Sequence, residues 1–559
     1  MLTPQFRVDC SERLAHDYLV TLTVPAPAAG QVFSLPAWIP GSYLLREFAK
    51  QLSDLSAEQG GTLVAIQQLD KSSWRVDCSA GQPLTLNYRV HAFDTSVRTA
   101  WLDARRGFFN GTSLFLRVHG QEEQSHEVEL TGLPENWRIA TGMPSVGTQR
   151  YAAADYDELV DHPFELGDFW LGEFTAAGVL HQIVVAGAWP SFDGARLLAD
   201  VQRICETQIA FWGDAPFPNY VFLLNCVDEG GGGLEHRAST ALLAPRRELP
   251  RAGTVEITDG YANLLSLFSH EYFHAWNVKR IRPAELARYD YQRENYTELL
   301  WFFEGFTSYY DELMLLRAGL IDAPRYLKML AKTVNSVLAA PGRKQHSLAA
   351  ASFEAWTKFY RPDEHTPNLT VSYYGKGALV ALALDLSLRA AGSTLDDLMR
   401  SLWQSSGGGP INEADILAAA KEQGAALSTW VHGTDDLPLR DLLERVGVTW
   451  REDAASLAQR LGLKLSESAL TGIQVKQVFT GSPALAAGLS PGDEIVGCAG
   501  WRLRRLDDAL ALAAPNEKRL ELLISRDQRL MTLTVAVPDA AAGTVQLSLA
   551  DPAGAKAWL

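Results

Sequence analysis

Residues 270–274 read His-Glu-Tyr-Phe-His, and Glu304 follows in the stretch Trp-Phe-Phe-Glu-Gly-Phe-Thr. On a helix, His270 and His274 lie one turn apart on the same face, so both imidazoles can bind one metal ion. Glu271 then lies beside them and can act as the base for a metal-bound water. Since a catalytic zinc takes three protein ligands and a water, the pattern predicts one zinc per chain, held by His270, His274 and Glu304.

The residues around both segments favour this interpretation. Residues 255–269 and 296–316 are helical in pattern, with apolar residues along one face. Glu304 is the one acid within the aromatic run, and a carboxylate in such surroundings is costly unless it is paired or bound to a metal. The alternative, that the two histidines are ordinary core residues of an amphipathic helix, does not account for Glu304.

Composition places the chain among large globular proteins. Its 559 residues are 47% hydrophobic and 21% charged, and at roughly 150 residues per domain they suggest three or four units. The net charge of −16 argues against nucleic acid as a partner, because phosphate binding needs basic patches. No apolar run reaches the ~18 residues of a membrane span. Because no signal peptide is visible at the start, we expect a cytoplasmic protein, with a processed or periplasmic form as the alternative.

Three kinds of pattern follow one another along the chain. Residues 1–172 contain short alternating runs between turn residues, which are typical of a β-sandwich; they include Tyr18–Val24, Leu84–Val90, Leu114–Val118 and Glu127–Leu130. Residues 173–454 begin with strand-like runs and then become mainly helical in pattern. Strand-like runs return in residues 455–540, and the Ala- and Gly-rich residues 541–559 form a tail without a structural signal. The predicted fold class is therefore multidomain α+β.

The third region contains a specific motif. Residues 481–496 read Gly-Ser-Pro-Ala-Leu-Ala-Ala-Gly-Leu-Ser-Pro-Gly-Asp-Glu-Ile-Val, and strand candidates flank them at Ile473–Val478, Arg519–Arg526 and Leu530–Val537. This pattern resembles that of bacterial PDZ domains, which bind a peptide strand at a sheet edge. The resemblance implies that a peptide or a protein C-terminus binds to a PDZ domain at residues 455–540.

The metal-site segments resemble those of the thermolysin-type metallopeptidases, in particular the aminopeptidase N group, although the spacing from His274 to Glu304 is longer here. The glycyl aminopeptidase family, whose members carry a PDZ domain, is more similar still, over nearly the whole chain. Its characteristic segments occur here as Trp38-Ile-Pro-Gly-Ser-Tyr-Leu-Leu-Arg-Glu-Phe48, Arg106-Gly-Phe-Phe-Asn-Gly-Thr-Ser113 and His270-Glu-Tyr-Phe-His-Ala-Trp-Asn-Val-Lys-Arg-Ile-Arg-Pro283. The resemblance implies a thermolysin-like catalytic domain at residues 173–454 and an activity that removes N-terminal residues from peptides, chiefly Gly and Ala.

Two further roles are implied by the same resemblance. Gly-Gly-Leu-Glu-His at 232–236 resembles the G-x-M-E-N strand of aminopeptidase N, whose glutamate holds the free amine of the substrate, so Glu235 is the candidate. Tyr-Tyr-Gly-Lys-Gly-Ala at 373–378 resembles the Y-E-K-G-A segment, whose tyrosine stabilises the tetrahedral intermediate, so Tyr374 is the candidate. Here His236 and Gly375 replace the Asn and Glu of those motifs.

Some assignments stay open at this stage. Asp311, on the same predicted helix face as Glu304, could orient a ligand histidine or be a solvated acid. Arg280 and Arg282 could bind a substrate carboxylate or pair with acids nearby.

Two other functions compete with the aminopeptidase. One is a zinc endopeptidase of the thermolysin type, in which Glu235 would not bind a free amine. The other is a PDZ scaffold with a vestigial metal site, which the intact set His270, Glu271, His274 and Glu304 disfavours.

Overall fold

The structure is a computed structural model, and it describes residues 3–512, 518–539, 542–551 and 558. The chain divides into two compact units. The first unit contains the chain up to Tyr296, together with Tyr310–Ile321 and Arg400–Asn412. The second contains Thr297–Tyr309, Asp322–Met399 and the chain from Glu413 onwards.

The first unit opens with a β-rich region, as predicted. An eight-stranded sheet has the order β14-β15-β12-β1-β2-β8-β4-β5, and two four-stranded sheets have the orders β13-β16-β10-β9 and β11-β3-β7-β6. Their elements are β1 (Gln5–Asp9), β2 (Asp17–Val24), β3 (Val32–Ser34), β4 (Leu52–Gln59), β5 (Thr62–Leu63), β6 (Ile66–Gln68), β7 (Ser73–Val76), β8 (Leu84–His91), β9 (Ala100–Leu102), β10 (Arg106–Phe109), α1 (Gly111–Leu114), β11 (Arg117–Val118), β12 (His126–Thr131), β13 (Arg138–Thr141), β14 (Ser145–Gly147), β15 (Arg150–Ala153), α2 (Tyr156–Val160) and β16 (Phe164–Gly167).

Local alternation accounts for most of these strands. In β2, every second residue is buried, because successive side chains point to opposite faces of a sheet. The predicted strand Leu114–Val118 is confirmed only for Arg117–Val118, because Leu114 is the last residue of α1 and the two residues between belong to neither element. Tertiary packing decides this position: a Cβ atom on Gly111 would lie 2.7 Å from the Cα atom of Val160, so this turn is packed tightly against α2.

The same unit continues with a five-stranded sheet of order β17-β18-β19-β21-β20. Strands β18, β19 and β21 run parallel, and β20 lies antiparallel to β21 at the edge. The predicted domain boundary at residue 172 falls inside β17. The elements are β17 (Trp170–Ala176), β18 (Val179–Ala186), α3 (Gly194–Trp212), β19 (Asn219–Val227), β20 (Gly232–Glu235), β21 (Ser239–Pro245) and α4 (Asp259–Phe273).

The second unit begins with a helical region. Two helices, α6 and α11, pass from one unit to the other along the chain. The helix predicted at residues 296–316 is divided, since α5 ends at Phe303 and α6 begins at Gly305. The helices are α5 (Leu300–Phe303), α6 (Gly305–Arg317), α7 (Ala323–Leu338), α8 (Leu348–Phe353), α9 (Thr366–Leu369), α10 (Tyr373–Ala390), α11 (Leu395–Ser406), α12 (Glu413–Ala419), α13 (Gly424–His432) and α14 (Leu439–Arg445).

The second unit ends in a C-terminal β region. Its main sheet has the order β23-β24-β25-β27-β28, with β26 paired to β25, and β22 pairs separately with β29. The elements are β22 (Val448–Ala454), α15 (Leu457–Leu461), β23 (Leu463–Ser468), β24 (Gly472–Val478), α16 (Pro483–Ala486), β25 (Glu494–Cys498), β26 (Trp501–Arg502), α17 (Asp508–Leu512), β27 (Arg519–Arg526), β28 (Arg529–Ala536) and β29 (Ala542–Leu549).

The tail predicted at residues 541–559 contains regular structure. Strand β29 pairs with β22, and the Val545 N–H donates to the Asn335 side chain on α7 at 2.8 Å. The Trp558 indole is buried and donates to the Tyr309 hydroxyl at 3.1 Å. Within the part of the tail that the structure describes, β29 and Trp558 are therefore attached to the helical region of their own unit, whereas residues 541, 552–557 and 559 lie outside the described residues.

Among the described residues, no single helix is both long and apolar enough to cross a bilayer, and only the bent pair of α10 and α11 together has the necessary length and composition.

Candidate active site

Helix α4 carries the two histidines at its end. The Thr258 side chain caps its first turn by accepting from the Tyr261 N–H at 3.1 Å. His270 lies in the last turn, and His274 is the C-terminal cap residue with helical dihedral angles. The helix thus begins later than the helical pattern that starts at residue 255, and as predicted it extends through the motif and places both imidazoles on one face.

The two imidazole rings face each other through their Nε2 atoms, which are 3.1 Å apart. The Nδ1 atom of His274 lies 2.8 Å from the Asn277 carbonyl oxygen, and that of His270 lies 2.9 Å from Asp311 Oδ2. Both partners are acceptors, so each Nδ1 carries the hydrogen, and in a neutral ring Nε2 then offers its lone pair. Two such acceptors repel each other unless a cation lies with them.

This donor arrangement fits a zinc ion. Imidazole nitrogen is a preferred zinc ligand, and a ligand histidine usually donates its other N–H to a carboxylate or a backbone carbonyl. His270 and His274 satisfy both conditions.

Asp311 orients His270, which is one of the two roles that the sequence left open for it. Its carboxylate, on α6, is largely buried and accepts the His270 Nδ1–H. Burial raises the pKa of Asp311, while the hydrogen bond from His270 works in the opposite direction. The bond fixes the orientation and the tautomer of the imidazole, and a carboxylate partner increases its basicity.

Glu271 lies against the backbone of strand β20. Its side chain is buried, with 5% exposure. A Cβ atom on Gly233 would lie 2.1 Å from Glu271 Oε1, so only glycine leaves room for the carboxylate at this place. The Gly233 carbonyl in turn accepts from Arg98 Nη2 at 3.1 Å. Sequence patterns could not indicate these contacts, because they join residues that are distant along the chain.

Glu235 ends β20 and lies close to the histidine helix. It is buried, with 5% exposure. Glu235, Glu271 and His274 each offer one potential ligand atom, and these three atoms lie within 4.8 Å of one another. The structure therefore brings a second buried carboxylate next to Glu271 and one imidazole.

An ion pair between Asp161 and Lys279 holds the chain just after Glu235, and sequence patterns did not indicate it. Asp161 accepts from Lys279 Nζ at 2.7 Å and from the Arg237 N–H at 2.8 Å, and it lies 3.4 Å from His236 Nδ1. Burial favours the neutral form of Asp161, but Lys279 and His236 together outweigh it and hold the pKa of that carboxyl well below its usual range. The cluster ties β20 to the segment that follows His274.

Glu304 occupies the break between α5 and α6, in the second unit. It is buried, with 2% exposure. Next to it, Gly305 meets Gly377 of α10 so closely that a Cβ atom on Gly305 would lie 2.5 Å from the Gly377 Cα atom. The two glycines bring the start of α6 against α10, and this close crossing fixes the position of Glu304 within its unit.

Tyr374 lies in the first turn of α10 and is partly exposed, whereas Tyr373 is fully buried. The Ser372 side chain caps this helix by accepting from the Gly375 N–H at 3.2 Å. The Tyr374 ring stacks on Phe359 with a centroid separation of 5.3 Å. Of the two neighbouring tyrosines, Tyr374 has the more accessible side chain.

Arg280 and Arg282 contact backbone carbonyl groups. Arg280 Nη1 donates to Ala275 at 2.7 Å and to Arg237 at 2.9 Å, and burial lowers the pKa of Arg280 to about 10. Arg282 Nη2 donates to the Lys279 carbonyl at 2.9 Å. These bonds give both side chains a role in holding the segment after His274.

Comparison with known proteins identifies the family. Residues 5–168 match the Peptidase M61 N-terminal domain, and residues 263–380 match the M61 glycyl aminopeptidase domain. The crystal structure of an aminopeptidase N family protein from Idiomarina loihiensis is 37% identical, with 100% of both chains covered and a TM-score of 0.95. The chain belongs to the M61 glycyl aminopeptidase family. It is a zinc metallopeptidase of the aminopeptidase type.

Other matches add little to this assignment. An M1 zinc metallopeptidase from Deinococcus radiodurans is 17% identical over 78% of this chain and 95% of its own, with a TM-score of 0.48. Similarity at that level does not establish a shared fold. No protein of curated function matches the chain in sequence.

Proposed function

We propose that this M61 enzyme removes single N-terminal residues, preferentially Gly and Ala, from peptides with a free amine, using one zinc ion per chain. The observation that carries the proposal is the proximity of Glu235, Glu271 and His274, whose candidate atoms lie within 4.8 Å of one another. A buried carboxylate beside the base is what recognition of a terminal ammonium requires. The preference for small residues rests on the family, which is described as glycyl aminopeptidase.

His270, His274 and Glu304 would hold the zinc. Support for the histidines comes from their facing Nε2 atoms and occupied Nδ1 atoms. Support for Glu304 comes from its burial and from its place on the chain two helical turns before Asp311, the partner of His270. When bound, zinc lowers the pKa of a coordinated water and polarises a carbonyl oxygen.

Three side chains have the other proposed roles in the reaction. Glu271 takes the proton of the attacking water and passes it to the leaving amine. Glu235 pairs with the substrate ammonium and so sets the scissile bond one residue from the end of the peptide. Tyr374 donates its hydroxyl hydrogen to the oxyanion that develops at the carbonyl, since a phenol stays protonated at neutral pH.

Replacing Glu235 by Ala tests the exopeptidase assignment. We expect the variant to lose about 2–5 kcal/mol of transition-state stabilisation for free-amine substrates, as for the loss of a buried charge partner. The measurement is kcat/KM for glycyl p-nitroanilide and for its N-acetylated form, before and after the change. The exposed Glu256, changed to Ala, is the matched control. Equal cleavage of free and acetylated substrates by the parent protein would favour the thermolysin-type endopeptidase.

We further propose that the C-terminal β region is a PDZ domain that binds an extended peptide with a free C-terminus. Among the described strands, β23 lies at one edge of its sheet and β28 at the other, and an edge position allows strand addition. A cavity of about 1070 Å³ adjoins it, lined by Leu463 and Lys464 of β23 and, across from them, by residues of α7 and α9. This volume lies at the upper end of the range for ligand sites.

Binding of an acetylated peptide tests this second site, because acetylation prevents its cleavage by an aminopeptidase. We expect a fluorescent N-acetylated decapeptide pool with free C-termini to bind the full-length protein. Lys464→Glu should weaken binding, since Lys464 lines the cavity, whereas Lys476→Glu, an exposed change on β24 outside the cavity lining, should not. Fluorescence anisotropy measures both. Equal binding by the two variants, or none by the parent, would count against a peptide site at β23.

A further inference from the structure

A loop of the N-terminal β-rich region contacts Glu235. The loop lies within Trp38–Tyr43, part of the first segment that carries the family resemblance. It turns tightly, since the Ser42 N–H donates to the Ile39 carbonyl at 3.0 Å. Gly41, at the centre of the turn, has φ +89°, a left-handed conformation that favours glycine.

Gly41 and the Glu235 carboxylate are in direct contact. A Cβ atom on Gly41 would lie 2.4 Å from Oε1 and 2.7 Å from Oε2 of Glu235. Both distances are far below van der Waals contact. Any other residue at position 41 would therefore displace the carboxylate or the loop.

The loop is firmly anchored, so the carboxylate is the part that would move. The fully buried Trp38 donates its indole N–H to the Asp290 carbonyl at 2.8 Å, and its ring meets Tyr289 edge to face with centroids 5.7 Å apart. The Ala37 N–H donates to the Tyr291 carbonyl at 2.7 Å. Three contacts thus hold the loop to the segment that follows the histidine helix.

Space behind the carboxylate is small. The cavity beside Glu235 measures about 10 Å³, which is room for about one water-sized group. The backbone on the other side of Glu235 is fixed by the buried pair of Asp161 and Lys279. A displaced Glu235 carboxylate would therefore have to rotate to a different position, because the cavity beside it is too small to receive it.

We infer that Gly41 is a positioning residue for Glu235, and that the N-terminal β-rich region thereby takes part in selecting substrates with a free amine. The inference rests on the proposed role of Glu235 as the ammonium partner. It adds that the orientation of this carboxylate is set from another region of the chain, by a contact that only glycine permits.

A double-mutant cycle tests the inference. The variants are Gly41→Ala, Glu235→Ala and the pair, and the control is Gly30→Ala, which also has positive φ (+62°) but has its nearest neighbouring atom 3.9 Å from the added Cβ. We expect Gly41→Ala to raise KM for glycyl p-nitroanilide about 10- to 100-fold, as for a misplaced binding group, with a smaller change in kcat and with normal zinc content. In the Glu235→Ala background the same change should have little further effect, because the group it displaces is absent.

Stability gives a second readout if Gly41→Ala folds poorly. The added Cβ atom clashes with the Glu235 carboxylate, so Gly41→Ala should lower the melting temperature more than the Gly30→Ala control does. Adding Glu235→Ala to Gly41→Ala should recover most of this extra loss. Independent, additive effects of the two changes on KM and on melting temperature would overturn the inference. If Glu235→Ala alone left the ratio of free to acetylated cleavage unchanged, the proposed function itself would fail. If Glu235→Ala changed that ratio as expected but Gly41→Ala behaved like the Gly30→Ala control, only the inference about Gly41 would fail.

Discussion

Replacing Glu271 by Gln is expected to leave zinc bound and to lower turnover by about 10²- to 10⁴-fold, the usual contribution of a positioned general base. Glutamine keeps the shape of the side chain that lies against Gly233 but cannot accept the proton of the attacking water. The measurement is kcat for glycyl p-nitroanilide together with the zinc content of the same sample.

The exposed Glu256, changed to Gln, is the control for Glu271. It should retain both zinc and turnover. Turnover within a few-fold of the parent in Glu271→Gln would show that another group acts as the base.

Replacing Glu304 by Ala should remove zinc and activity together. Two imidazoles remain in that variant, and the loss of one of three ligands weakens a catalytic zinc site severely. Zinc content after gel filtration is the measurement, with kcat on the same fractions. The matched control is Glu298→Ala, an exposed acid in the segment just before α5, which should keep one zinc per chain. Full zinc content and full activity in Glu304→Ala would exclude this residue as a ligand.

The histidine pair was the most predictable part of the site. Its spacing is local, and a helix of 3.6 residues per turn places His270 and His274 on one face whatever the rest of the chain does. The helix boundaries were less predictable, because α4 begins where Thr258 caps it. Local sequence therefore specified the pair well but its helix only approximately.

The contacts that position the carboxylates could not be predicted. Gly233 lies against Glu271, and Gly41 lies against Glu235, but each pair joins residues that are remote in sequence. A glycine in a sequence indicates a turn or a close approach without naming the partner. Residues 38–48 resemble a family segment, but the resemblance does not explain why residue 41 is a glycine. The explanation is the contact with Glu235, which only the fold shows.

The division of the predicted helix at Glu304 has a similar cause. Residues 296–316 are helical in pattern, yet the close crossing of Gly305 with Gly377 accompanies a break at Glu304. In the tail, regular structure forms where none was predicted. Its Ala- and Gly-rich sequence has weak strand propensity, yet it contains β29. Pairing with β22 and the contact between Val545 and Asn335 give it order that composition did not indicate.

Anomalous diffraction at the zinc absorption edge, from a crystal of the zinc-loaded protein, would locate the metal directly. We expect one peak per chain, about 2.0–2.2 Å from Nε2 of His270, from Nε2 of His274 and from a carboxylate oxygen of Glu304. The other group of candidate ligands is Glu235, Glu271 and His274. A peak coordinated by that group, with His270 and Glu304 outside bonding distance, would contradict the account.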